Sequence, residues 1–154
     1  MVNGLSTTLM IVALQTASPM GARTDSLWLD DYGQAVGVAT AAERMLLVYV
    51  HQDDTVIGQD TLSRQIQSSA QLRRLAQQHV MVHVPISHIA THGEQQFQLI
   101  SHGAFEELRG RPGLAVVDFA NRGSEHYGFV VSVYPFYLPN ALSSAHLQSL
   151  LSLP

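Results

Sequence analysis

Eight histidines and not a single cysteine set the chemistry that this 154-residue chain can attempt. Without a thiol there is no disulfide, no thiolate metal site, no iron–sulfur cluster and no cysteine nucleophile. The histidines invite a metal hypothesis, because His79-x-x-x-His83 and His88-x-x-x-His92 have the separation that stacks two imidazoles on one helical face. The local pattern argues against it. His83 falls in a stretch that reads as a strand, 86–92 has no helical period, and no Glu lies within either pair. Zinc sites take three or four fixed ligands. The expectation is therefore surface or hydrogen-bonded histidines, with no metal and no cofactor. Glu106-Glu107 suggests acid–base work, yet adjacent helical residues do not face each other, so a solvated face is the simpler reading. Gly-x-Ser-x-Gly, Gly-x-Gly-x-x-Gly and Walker-type loops are all absent.

Charge narrows the partners. Eight basic residues, all arginine, face twelve acidic ones for a net −4, and no basic cluster exceeds Arg73-Arg74. This excludes a dedicated binder of nucleic acid or of anionic membranes. The composition, 46% hydrophobic and 13% charged, belongs to a folded chain, and the length suits one domain with a sizeable core. No stretch approaches the about 20 apolar residues that span a bilayer. Residues 1–26 form an extension, with a short apolar run at Leu9–Leu14 and no Lys or Arg before Arg23. Two readings stand for it: a signal or anchor segment, which implies a periplasmic or secreted protein, or a loose or strand-forming extension on a cytoplasmic one. The domain proper is expected over 27–154.

The elements that must position any site follow from periodicity. Asp31, with Gln34 three residues on, caps a predicted helix through Arg44, whose stripe is Tyr32, Ala35, Val36 and Ala39. Met45–Val50 is a continuous apolar run and reads as a strand buried on both faces. After a polar turn at His51–Asp54, helix is expected from about Thr55 to Gln67, with Thr55 either as its N-cap, beside Asp53 and Asp54, or as a hydroxyl donor to a ligand at the helix start. A second piece is capped by Ser68-x-x-Gln71, and a break falls at Ser68-Ser69. Val80–Pro85 is a second buried strand. Residues 86–103 read as a loop or insertion, with a short helix around 103–109. Leu114–Phe119 and Tyr127–Val133, joined by the turn Asn121-Arg122-Gly123, read as an antiparallel hairpin. Asn140 is placed as the cap of a last amphipathic helix whose apolar side is Leu142, Ala145, Leu147, Leu150 and Leu151. An aromatic run, Phe129, Tyr134, Phe136 and Tyr137, surrounds the last strand. The order gives an α/β sandwich with a mixed sheet of about four strands flanked by helices.

Three local motifs in this order resemble the thioredoxin family. Trp28-Leu29-Asp30-Asp31-Tyr32 with Ala35 and Ala39 looks like the opening helix of secreted, disulfide-interchange-type members. Leu46-Leu47-Val48-Tyr49-Val50 looks like the central strand. Gly110-Arg111-Pro112-Gly113 through Asp118, followed by Gly123, looks like the cis-proline loop, its strand and the next turn. The resemblance covers about residues 27–151 and implies a three-layer thioredoxin-like sandwich. It also implies that the position of Cys-x-x-Cys is taken by Thr55-Val56-Ile57-Gly58, which cannot form or exchange a disulfide. The position of the buried carboxylate of some relatives is taken by Tyr49.

On this resemblance the expected function is a redox-inactive binding or scaffolding module. It would hold a peptide or protein partner near Thr55, Val56, Ile57, Gly58, Arg111 and Pro112, with the Arg111–Pro112 bond cis. Two alternatives stay open: a thiol-independent enzyme that uses the same groove with histidine or metal help, and a purely structural or assembly domain.

Overall fold

A computed structural model of the chain describes residues 27–92, 94–137 and 142–152. The expectations for residues 1–26 and for Asn140 lie outside them. Among the described residues, four helices and six strands follow in the order α1 Tyr32–Ala42, β1 Leu46–His51, α2 Thr61–Ser68, α3 Ala70–Ala76, β2 Val80–Pro85, β3 Ile89–His92, β4 Gln95–Gln98, β5 Gly113–Val117, β6 Val130–Pro135 and α4 Ser144–Leu151. Short 3₁₀ turns at Leu99–Ser101 and Gly103–Leu108 separate β4 from β5.

The main sheet has the order β2-β1-β5-β6. β1 and β2 run parallel, with Tyr49 opposite His83, while β5 is antiparallel to both its neighbours, β1 and β6. Every residue of β1 is buried, as the unbroken apolar run requires of a central strand covered on both faces. Strand alternation then sorts the side chains. Leu46, Val48, Val50, Val82, Val84, Ala115 and Val117 pack with α1, β3 and the 3₁₀ turns. Leu47, Tyr49, Met81, Leu114 and Val116 pack with Trp28, α2, α3 and α4.

Helix starts are set by side chains that satisfy the first free N–H groups. Asp31 accepts from Gln34 N at 2.6 Å, as the sequence pattern implies. Thr55 does not cap α2. That helix begins six residues later, where Asp60 accepts from Ser63 N at 2.6 Å. The intervening chain closes turns instead, from Thr55 N to Gln52 O and from Gln59 N to Val56 O, and Gly58 has φ +93°, outside any right-handed helix. The break between α2 and α3 is where it was expected, but Ser69 makes the cap and Ser68 Oγ donates back to Gln65 O. α4 is capped by Ser143.

The segment 86–103 contains a two-stranded hairpin, β3–β4, in which Ala90 faces inward opposite Phe97 and Ile89 faces out. The short helix expected after it is a 3₁₀ turn, and β6 starts at Val130, three residues later than the expected strand Tyr127–Val133. Residues 118–129 are held by Asp118. Its buried carboxylate accepts from Ala120 N, Asn121 N and the Asn121 amide, and its backbone N–H bonds Phe129 O.

Candidate functional site

Because β1 and β2 are parallel and β5 opposes them, one end of the sheet gathers the exits of β1, β2 and β6 and the entry of β5. Crevices outside the carboxyl ends of parallel strands are where open α/β sheets bind ligands. The topology brings both expected segments here. Thr55–Gly58 leaves β1, and Arg111–Pro112 leads into Gly113, which pairs with Val50.

Their chemistry differs from expectation. Among the described residues no peptide bond is cis, so the Arg111–Pro112 bond is trans. Trans is the lower state of an X–Pro bond by about 0.5–1 kcal/mol. The chain reverses ahead of the proline instead, through positive φ at Arg109 and Gly110. The backbone beside Pro112 is also largely engaged: Arg111 N donates to Leu108 O at 3.0 Å, and Pro112 O accepts from Phe136 N at 2.8 Å. What these segments present outward is side chains. Val56 and Tyr137 are each 60% exposed, and the Arg111 guanidinium lies 5.5 Å from the Tyr137 ring centroid, within cation–π range. Ile57 turns the other way and packs against the core under α2 and α4. Gly113 permits the close approach of β5 to β6, since a Cβ there would lie 2.5 Å from Tyr134 O and 2.9 Å from Pro135 Cα.

Beneath this rim, on the α2–α4 face, aromatic rings cross the sheet from edge to edge. Trp28 meets His83 edge-on at 6.4 Å and Tyr49 at 5.8 Å. His83 contacts His51 at 5.4 Å, and His51 contacts Tyr49 at 5.6 Å. The belt continues from Tyr49 to Phe136 at 6.1 Å, to Tyr134 at 6.2 Å and to His146 of α4 at 5.7 Å. These separations are those of stacked and edge-to-face pairs.

The polar atoms of the belt are unusually placed. His83 Nδ1 lies 3.3 Å from His51 Nε2, and His51 Nδ1 lies 2.6 Å from Gln52 O. Burial holds the His83 imidazole below its ordinary pKa and the neighbouring His51 adds to this, while Asp30 and Asp60 pull the other way. Burial, with the Asp60 carboxylate nearby, pushes the Tyr49 hydroxyl well above the normal tyrosine range. Asp60 accepts from Ser63 N through Oδ1 and lies within hydrogen-bonding reach of the Tyr49 hydroxyl. Asp53, in the loop after β1, ties the loop after β2 by accepting from Ser87 N at 3.2 Å and Ser87 Oγ at 2.9 Å.

Of the histidine pairs chosen on spacing, His79 and His83 do not come together. His79 is buried, with Nδ1 3.0 Å from Leu75 O, while His83 faces His51 and His88 lies in the turn after β2. Among the described residues no group of three or more His, Asp or Glu side chains is placed to hold a metal ion. The sequence pattern places His51 in a turn, so the His51–His83 contact is not visible in it. Once both are placed on strands the signal is parity: His51 and Tyr49 are two apart on one strand, and His83 and Met81 two apart on the next. Comparisons with protein-family models, with curated proteins and with solved structures found no match to this chain.

Proposed function

We propose that the chain is a thioredoxin-like domain without a redox centre, acting as a binding or scaffolding module for a peptide or protein partner at the end of the sheet where β1 exits. The observation that carries this reading is the strand order β2-β1-β5-β6 with β5 alone reversed, set beside Thr55-Val56-Ile57-Gly58 at the β1 exit and the absence of cysteine. The engaged backbone at Arg111–Pro112 favours contact through side chains over strand addition, with Val56, Arg111 and Tyr137 as the rim.

The His51–His83 contact favours, as a second reading, thiol-independent acid–base chemistry at the same sheet end. Calorimetric titration with S-carboxymethylated insulin B chain, an extended chain without free thiols, tests the binding reading. Saturable binding that Arg111→Ala and Tyr137→Ser both weaken is the expected result. No heat at any concentration, or binding that neither substitution alters, overturns it.

A further inference from the structure

The main sheet ends in β2 on one side and β6 on the other, and the two edges are treated differently. Leu29 runs parallel to β2 and occupies its outer edge: Leu29 N donates to Met81 O at 2.8 Å, and His83 N donates to Leu29 O at 2.9 Å. Among the described residues no strand pairs with the outer edge of β6. The direction of its backbone follows from its inner bonds. Phe136 N donates to Pro112 O at 2.8 Å, and in an antiparallel ladder residues two apart point to the same edge. Tyr134 and Ser132 therefore turn their backbone groups toward β5, while Val133 and Pro135 turn theirs outward. Pro135 has no N–H to lose there, which is where an edge strand tolerates proline. Val131 is the extra residue of a bulge opposite Val116 and Val117, and its side chain is 38% exposed.

We propose that β6 is a dimerisation edge: it pairs, antiparallel, with β6 of a second copy of this chain about a two-fold axis at Val133, joining two four-stranded sheets into one. Natural sheets blunt an open edge with charged side chains, lysine above all. This edge has none. No Asp, Glu, Lys or Arg follows Glu125 in the sequence, so β6 and α4 are both free of charge. α4 flanks the strand through the ring contact of His146 with Tyr134 at 5.7 Å, and it turns Ser144, Ala145, Gln148 and Ser149 to water.

Three features select a second copy as the occupant. The first is charge. Each copy carries a net −4, so two copies repel unless they meet where neither bears charge, and β6 with α4 offers such a place. A basic partner would find no carboxylate on either element. The second is self-complementarity. A two-fold axis at Val133 sets its outward N–H and C=O against the same groups of its counterpart, so both bonds form at once. Pro135 then falls opposite Val131 of the other copy, where the missing donor meets the bulge and the ladder stops. The third is closure. Because Leu29 covers β2, one edge per copy is left for pairing, and the assembly ends at two chains instead of growing into a filament. The 3₁₀ turn with Glu106 and Glu107 packs on the aliphatic face through Phe105 and Leu108, the face opposite α4. The pairing does not depend on what the sheet end binds.

The test is sedimentation velocity of the intact protein over a concentration series, with amide hydrogen exchange followed by NMR in the same samples. The expected result is a shift from one-chain to two-chain mass as concentration rises, with nothing larger. Over the same range the Val133 amide should exchange more slowly, while that of Val48, in the centre of the sheet, stays constant. Val131→Lys sets a charge into the paired edge and should abolish the two-chain species with the urea midpoint unchanged. Ile89→Lys, at a 53% exposed position on β3, should leave it intact. A one-chain mass at every concentration up to about 1 mM overturns the proposal. So does a two-chain species that Val131→Lys leaves intact or that Ile89→Lys disrupts equally, a species that keeps growing beyond two chains, or a dimer that forms without slowing exchange at Val133. The exchange reading uses the wild-type protein and decides the matter even where a variant fails to fold.

Discussion

The two faces of the sheet are built from the same strands and do different work. On one, Val48, Val50, Val82 and Val84 meet α1, and no polar side chain interrupts the strand rows. On the other, one residue along, Tyr49, His51 and His83 stand among Leu47, Met81 and Leu114. Alternation alone separates them. The aliphatic face is a packing surface, tolerant of nothing but shape. The ring-bearing face stores polar atoms at low water access, where hydrogen bonds and charges act most strongly.

The sharpest way to break that contrast is through the aliphatic face. Leu108 is fully buried there, and Leu108→Ala should cost about 2–5 kcal/mol in urea unfolding, through lost burial and the cavity left behind. Next in size is Gly113→Ala, which places a Cβ against the backbone of β6. Overpacking of this kind costs about 1–3 kcal/mol, and the same unfolding measurement checks it.

How much of this was legible follows from what each element depends on. β1, β2 and α1 were visible because long apolar runs and a capping Asp act locally. The start of α2 was misplaced because Thr55 and Asp60 are both competent caps, and the choice is made by turns at Gln52–Gln59 that carry little sequence signal. The β3–β4 hairpin was hidden because its inward residues are only Ala90 and Phe97, among polar neighbours. A Gly-Glu pair at 93–94 was its one turn cue. At the site, the expected segments do reach the same sheet end, since topology decides that. The His51–His83 contact joins residues 32 apart and depends on the parallel register of β1 and β2, which no local pattern encodes.

Acid should sharpen the comparison. His79, His83 and His88 are all held below the usual histidine pKa, each chiefly by burial. The folded state therefore favours their neutral forms. Above about pH 6.5 that preference is fully expressed. As pH falls below it, the unfolded chain takes up protons that the folded chain resists, and stability declines until the lower folded values are passed. Thermal midpoints should thus fall between about pH 7 and about pH 5, and His83→Asn should make the decline shallower. A midpoint that is flat or rises over that window contradicts the assignment. The smallest effect belongs to the rim: Val56→Ser should change stability by no more than about 0.5 kcal/mol, because its side chain is mostly in water.

The central claim is that the end of the sheet where β1 exits is the working end. Amide NMR mapping of the protein with S-carboxymethylated insulin B chain tests it most directly. The account predicts perturbations confined to Thr55–Gly58, Arg111 and Phe136–Tyr137, with the amides of Glu43, Arg44 and Gln78 at the opposite end unmoved. Perturbations centred on Glu43, Arg44 and Gln78, or none at saturating peptide, would contradict it.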